Sequence, residues 1–267
     1  MFPVIRVAGA AIPSGTLAFL IAYLLGLYVG ARRARDLGLK GDWVWDAGTY
    51  GFLAAILAGR IWYVVVNLDA YRLDWLQVLA PNPGTLALRE GAVVGAAVGI
   101  LYLSRQRVPL VAFADAVAPA AVLAAAVVSL GNLASGSGYG AATDMPWAIQ
   151  MWNAQRHPTQ IYEFLASLAI FFYLIALRGS ARGSMGSDRG HAGETALWTV
   201  ALYAAARVFL EAFRGDVIDA VAGFRPAQVA SWLVLMVSIG ALYWRREKAE
   251  DLASADGRPQ PPAKAAG

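Results

Sequence analysis

Cysteine is absent from this chain, which excludes disulfides, thiolate nucleophiles and cysteine-ligated metals. Charge is scarce as well. Asp, Glu, Lys and Arg make up 15% of the 267 residues, where a soluble domain carries about a quarter. Histidine occurs twice, so any imidazole chemistry rests on His157 or His191. The N-terminal MFPVIRVAGAAIPSG lacks the basic, then apolar, then small pattern of a cleaved signal, and the apolar run it opens is long enough to remain as a span.

What is abundant is apolar surface, at 58% of residues, gathered into runs of roughly 18 to 21 that can cross a bilayer core. Open sheet edges cannot sit in lipid, and barrel strands would give short alternating segments, so the expected fold is all-α and polytopic. Seven spans are expected: Ile12–Ala31, Asp46–Val66, Leu86–Ser104, Leu110–Leu130, Gln160–Leu177, Gly193–Ala212 and Ala227–Trp244. Small residues crowd some of them, as in GAVVGAAVG at Gly91–Gly99, which suits close helix packing. Pro119 predicts a kink in the fourth span.

Basic residues follow alternate spans: Arg32, Arg33, Arg35 and Lys40; Arg105 and Arg107; Arg178, Arg182 and Arg189; Arg245, Arg246 and Lys248. The positive-inside rule therefore places the N-terminus outside and the C-terminus in the cytoplasm. The formal charge of +4 reads as topology rather than nucleic-acid binding. Residues 1–246 form a single expected transmembrane domain. The tail 247–267 has nothing to bury and is expected to be disordered, and the loop Gly179–His191 to be mobile.

On this topology Arg60, Arg89, Glu90, Asn132, Glu163, Arg207, Glu211 and Arg214 all fall toward the outer side, whereas Asp46 and Asp115 fall toward the inner. An ionisable group in hydrocarbon costs roughly 2.5 to 3.5 kcal/mol and is normally justified by pairing or function. Arg207 and Glu211, spaced i,i+4, share one helical face. A structural ion-pair network is one reading. The other is an arginine-lined cavity for an anionic phospholipid headgroup, because the guanidinium fork matches phosphate oxygens. Enzyme and transporter both remain open on these grounds.

RHPTQIYE at Arg156–Glu163 resembles the signature of the bacterial prolipoprotein diacylglyceryl transferases. AGRIWYV at Ala58–Val64, GNLASGSGYG at Gly131–Gly140 and YAAARVFLEAFR at Tyr203–Arg214 resemble that family's other polar segments, in the same order. The resemblance implies seven spans in the bacterial cytoplasmic membrane. It also implies transfer of a diacylglyceryl group from phosphatidylglycerol to a signal-peptide cysteine, with glycerol phosphate released and no metal or soluble cofactor. The partners are then the lipid and the lipoprotein signal peptide, with no nucleic acid, and the protein is expected to be a monomer. Carried onto this sequence, Glu90, Arg207, Glu211 and His157 are the candidate catalytic residues. Arg60, Arg89, Asn132, Gln160, Tyr162, Glu163 and Arg214 are the candidate lipid-binding residues.

The chain departs from the family pattern in four places. The third-span histidine position reads Glu90, an expected arginine is Ser129, an expected glutamate is Ser137, and the first span carries PSGT at Pro13–Thr16. Glu90 is therefore expected to act as the base from a low-dielectric pocket, with Arg89 supplying the charge that Ser129 lacks. The alternatives are another headgroup reaction on the same scaffold, or a non-catalytic lipid-binding or transport protein.

Overall fold

A computed structural model describes residues 3–7, 10–72, 75–79, 83–181, 192–216 and 225–255. A short antiparallel hairpin, β1 (Val4–Val7) and β2 (Ala10–Pro13), leads into α1 (Ser14–Asp36). Then follow α2 (Asp42–Val66), the single turn α3 (Leu68–Tyr71), α4 (Leu88–Arg105) and α5 (Leu110–Ser135). A second hairpin, β3 (Ile149–Met151) and β4 (Ala154–Arg156), precedes α6 (Thr159–Ala181), α7 (Glu194–Leu210) and α8 (Pro226–Ala255).

Each of the seven apolar runs is a helix. Six of them are long and apolar enough to cross a membrane: α1, α2, α5, α6, α7 and α8. The exception is α4, whose 18 residues include Arg89, Glu90 and Arg105. The helix α8 continues through Ala255, past residue 247, where the tail was expected to begin. Its last turns carry Arg245, Arg246, Glu247, Lys248, Glu250 and Asp251, and mixed charges of this kind extend a helix readily. Residues 256–267 and 182–191, His191 among them, lie outside the described residues.

The chain divides into two compact units. The first comprises Met1–Gly26 and Ala118–Gly267, the second Leu27–Val117. In the second unit, α2 and α4 pack along a seam of small residues. The buried positions of α4 are Gly91, Gly95, Gly99 and Leu103. A Cβ on Gly91 would strike the Ala55 carbonyl, and one on Gly95 the Gly51 carbonyl. Backbone approach of this kind makes dispersion contacts and weak Cα–H···O contacts available without bulky side chains. In the first unit, Val122, Ile170 and Leu174 form an apolar cluster against Phe171, Leu202 and Ala206, joining α5, α6 and α7.

Gly95→Ile should therefore lower the unfolding free energy in detergent by ~3 kcal/mol, an overpacking cost. Gly240→Ala, where a Cβ meets nothing within 4 Å, should be neutral or stabilising by up to ~1 kcal/mol. Thermal unfolding of the two variants checks the contrast.

Candidate functional site

The signature RHPTQIYE begins on β4 and ends at Glu163, just past the first turn of α6. Its first half is spent on the glycine-rich loop that follows α5. Six successive carbonyls of that loop are taken, each by a different donor. Trp152 Nε1 donates to Gly136 O at 2.9 Å, Gln160 Nε2 to Ser137 O at 2.8 Å and Thr159 Oγ1 to Gly138 O at 2.7 Å. The Gly215 N–H reaches Tyr139 O at 2.9 Å, Arg156 Nη1 reaches Gly140 O at 3.2 Å and the His157 N–H reaches Ala141 O at 3.0 Å. A buried carbonyl without a partner costs about 1–3 kcal/mol, so these donors fix the loop's path.

Local geometry makes the capture possible. Trp152 and Asn153 both have positive φ, at 53° and 61°, the turn that joins β3 to β4 with the right twist. The Arg156 guanidinium also lies over the Tyr139 ring, 4.7 Å from its centroid, a cation–π contact. Gly140 is obligatory, since a Cβ there would collide with the His157 carbonyl. Thr159 and Gln160 are buried because Pro158 starts the helix beneath the loop, with the Ile161 and Tyr162 N–H groups bonded to its carbonyl. With all six carbonyls engaged, the N–H groups of Gly138, Tyr139 and Gly140 make no hydrogen bond among the described residues.

The second half of the signature faces an ion cluster. One oxygen of Glu163, Oε1, accepts from Arg207 Nη1 at 2.7 Å and from Arg214 Nη1 at 3.0 Å. Arg207 Nη2 pairs with Glu211 Oε2 at 2.8 Å, the i,i+4 contact read from the sequence. Arg214 grips Asp216 with Nε at 3.0 Å and Nη2 at 2.6 Å. Burial opposes the Arg214 charge, but the bonds to Asp216 and the fields of Glu163 and Glu211 outweigh it and hold the guanidinium above its ordinary pKa. Arg225 Nη1 donates to the Glu211 carbonyl. Glu211 is 1% exposed. A Cβ built on Gly138 lies 3.6 Å from Arg214 Nη2 and 3.9 Å from Asn132 Nδ2, so the glycine-rich loop and Asn132 border the cluster.

Beside the acids stands an aromatic wall. Trp147 Nε1 donates to the Tyr162 hydroxyl at 2.7 Å, and that hydroxyl lies 3.3 Å from His157 Nδ1. Trp147 is a donor only, so the Tyr162 hydroxyl accepts from it, and which of Tyr162 and His157 Nδ1 donates to the other follows the imidazole tautomer. The His157 and Tyr162 rings both pack edge-on against Phe213.

The first unit thus brings together Asn132, His157, Gln160, Tyr162, Glu163, Arg207, Glu211 and Arg214. The other candidates lie in the second unit. Glu90 and Arg89 are both exposed at the start of α4. The reason is register: Gly91 and Gly95 face α2, and Glu90 is a third of a turn off that seam. Ser129, whose missing charge Arg89 was expected to supply, is buried and bonds back to the Ala125 carbonyl at 3.1 Å. Arg60 donates from Nε to Val78 O at 2.8 Å, from Nη2 to Gln77 O at 2.5 Å and from Nη1 to Thr85 O at 3.0 Å. Its three nitrogens hold the segment between α3 and α4, so Arg60 is a loop anchor in this structure.

The sequence reading passed over Asp216, Thr159 and Trp147. For Asp216 a signal existed, an acid two residues beyond Arg214. Nothing local marks Thr159 or Trp147, whose partners are distant in sequence.

A family model described as prolipoprotein diacylglyceryl transferase matches residues 4–244. The chain belongs to that family. Relatives named phosphatidylglycerol–prolipoprotein diacylglyceryl transferase include one from Clostridioides difficile, 28% identical over 84% of this chain and 87% of its own length. Others come from Corynebacterium diphtheriae, 28% identical over 89% and 90%, and from Trichormus variabilis, 27% identical over 84% and 82%. The match spans every element of the ion cluster and the glycine-rich loop.

Thr159→Val keeps shape but strips the donor from a loop carbonyl. It should cost about 1–3 kcal/mol and raise the rate of proteolytic nicking between residues 136 and 156, as read by mass spectrometry of limited digests.

Proposed function

We propose that this protein moves a diacylglyceryl group from phosphatidylglycerol onto the cysteine thiol of a lipoprotein signal peptide, releasing glycerol phosphate. The observation that carries the reading is the pair Arg207 and Arg214 converging on one carboxylate oxygen in a chain of this family. Two guanidiniums that share one anionic oxygen form a ready receptor for a phosphodiester.

The chemistry follows from that placement. Arg207 and Arg214 take the headgroup phosphate. The unbonded N–H groups of Gly138, Tyr139 and Gly140, with Asn132 Nδ2, add neutral donors of the kind that line anion sites. The thiol loses its proton, sulfur attacks the glyceryl carbon and a bond forms between them. The C–O bond to phosphate breaks, and its electron pair leaves with glycerol phosphate. Charge grows on that leaving oxygen, and preorganised donors stabilise the growing charge more than they stabilise the bound lipid. Gln160, Thr159 and Arg156 hold the loop, while Tyr162 and His157 form the wall beside Glu163.

We place the protein in the bacterial cytoplasmic membrane as a monomer, with α4 as a seventh span, the N-terminus outside and the C-terminus in the cytoplasm. The charges of α4 sit at its two ends and leave an apolar middle, and basic residues gather in the C-terminal parts of α1, α4, α6 and α8 or just after them.

The purified chain in vesicles containing phosphatidylglycerol, given a signal peptide with one cysteine, should release glycerol phosphate and yield lipidated peptide. It should also restore growth to cells depleted of their own transferase. Absence of both products would sink the reading. Arg207→Lys keeps the charge but loses the fork, and transfer should fall by roughly 10²-fold with the fold retained by circular dichroism.

A further inference from the structure

We infer that Glu163 is the proton acceptor for the thiol, and that the lipid's own phosphate releases it for that task. The inference rests on the transferase reading above. In the resting protein one Glu163 oxygen bridges Arg207 and Arg214, which is where a phosphodiester oxygen would bind. The carboxylate is therefore a stand-in for the substrate, and binding is an exchange of one anion for another on the same two cations.

The other acids of the cluster are less suited to the exchange. Glu211 is fully buried and belongs to the same helical face as Arg207. Asp216 uses both of its oxygens on Arg214. Glu163 keeps Oε2 without a hydrogen bond among the described residues, and both partners of its Oε1 are the arginines that the phosphate would claim. Until then the two guanidiniums hold Glu163. Displaced, it is a carboxylate with no cation to hold it, beside the phosphate whose ester bond must break. It takes the thiol proton as sulfur bonds to the glyceryl carbon, and glycerol phosphate departs with the C–O electron pair. The proton then passes from Glu163 to the departing phosphate, which restores the resting ion pair. The arrangement gives this chain a base where Glu90 stands exposed in the second unit, and it couples deprotonation to lipid binding, so that no thiolate forms at an empty site.

The test compares Glu163→Gln with the unaltered protein on two synthetic signal peptides, one with cysteine and one with selenocysteine, whose selenol is already ionised at neutral pH. With cysteine the variant should lose ~100-fold or more in kcat, the scale of general-base catalysis. With selenocysteine most of that loss should vanish. The KM for phosphatidylglycerol should fall several-fold, because a competing anion has been removed. An equal loss with both peptides, or a raised KM, would overturn the inference by showing that Glu163 merely braces the arginines. Selenocysteine rescue of His157→Gln in place of Glu163→Gln would overturn it in favour of the imidazole. Unaltered protein that lipidates neither peptide would instead remove the transferase reading itself.

Discussion

A loop is held in place when its backbone finds partners, and the six carbonyls from Gly136 to Ala141 are each taken by donors spread from Trp152 to Gly215. The rest of the site depends on this capture. It draws β4, the start of α6 and the end of α7 onto one strip of chain, and so sets Glu163, Arg207 and Arg214 at bonding distance. It also explains the polar signature at the edge of an apolar helix. Arg156, His157, Thr159 and Gln160 are there first to hold a loop.

The ion cluster that results is balanced rather than cationic. Arg207, Arg214 and Arg225 stand with Glu163, Glu211 and Asp216. Charges withdrawn from water are costly unless paired, and a set of arginines kept for an anion would repel itself while empty. Internal carboxylates solve that problem at the expense of competing with the ligand. The network reading and the headgroup reading drawn from the sequence are thus compatible: the same ion pairs that let the helices pack can be exchanged for a phosphate.

The departures from the family pattern acquire physical content in this frame. Ser129 sits buried and bonds to its own helix. Ser137 contributes its carbonyl to the captured strip while its side chain contacts Ser135. Glu90, which the resemblance sets at a histidine's position, is turned outward by the glycine seam of α4. Of the positively charged candidates, Arg60 bonds to carbonyls between α3 and α4, and Arg207 and Arg214 are the pair we propose for the headgroup.

Sequence alone determined the helices. Apolar runs of bilayer length can be nothing else in lipid, and all seven appear with edges shifted by a few residues or, for α8, by about three turns. It also determined the Arg207–Glu211 pair, since i,i+4 spacing on a helix fixes a distance. Tertiary structure decided the rest. Whether a glycine seam turned Glu90 in or out, whether Arg60 met carbonyls or lipid, and which oxygen Arg207 and Arg214 would share all depend on elements far apart in the chain. Their meeting is set by packing and by the satisfaction of buried polar groups, and no local pattern encodes either.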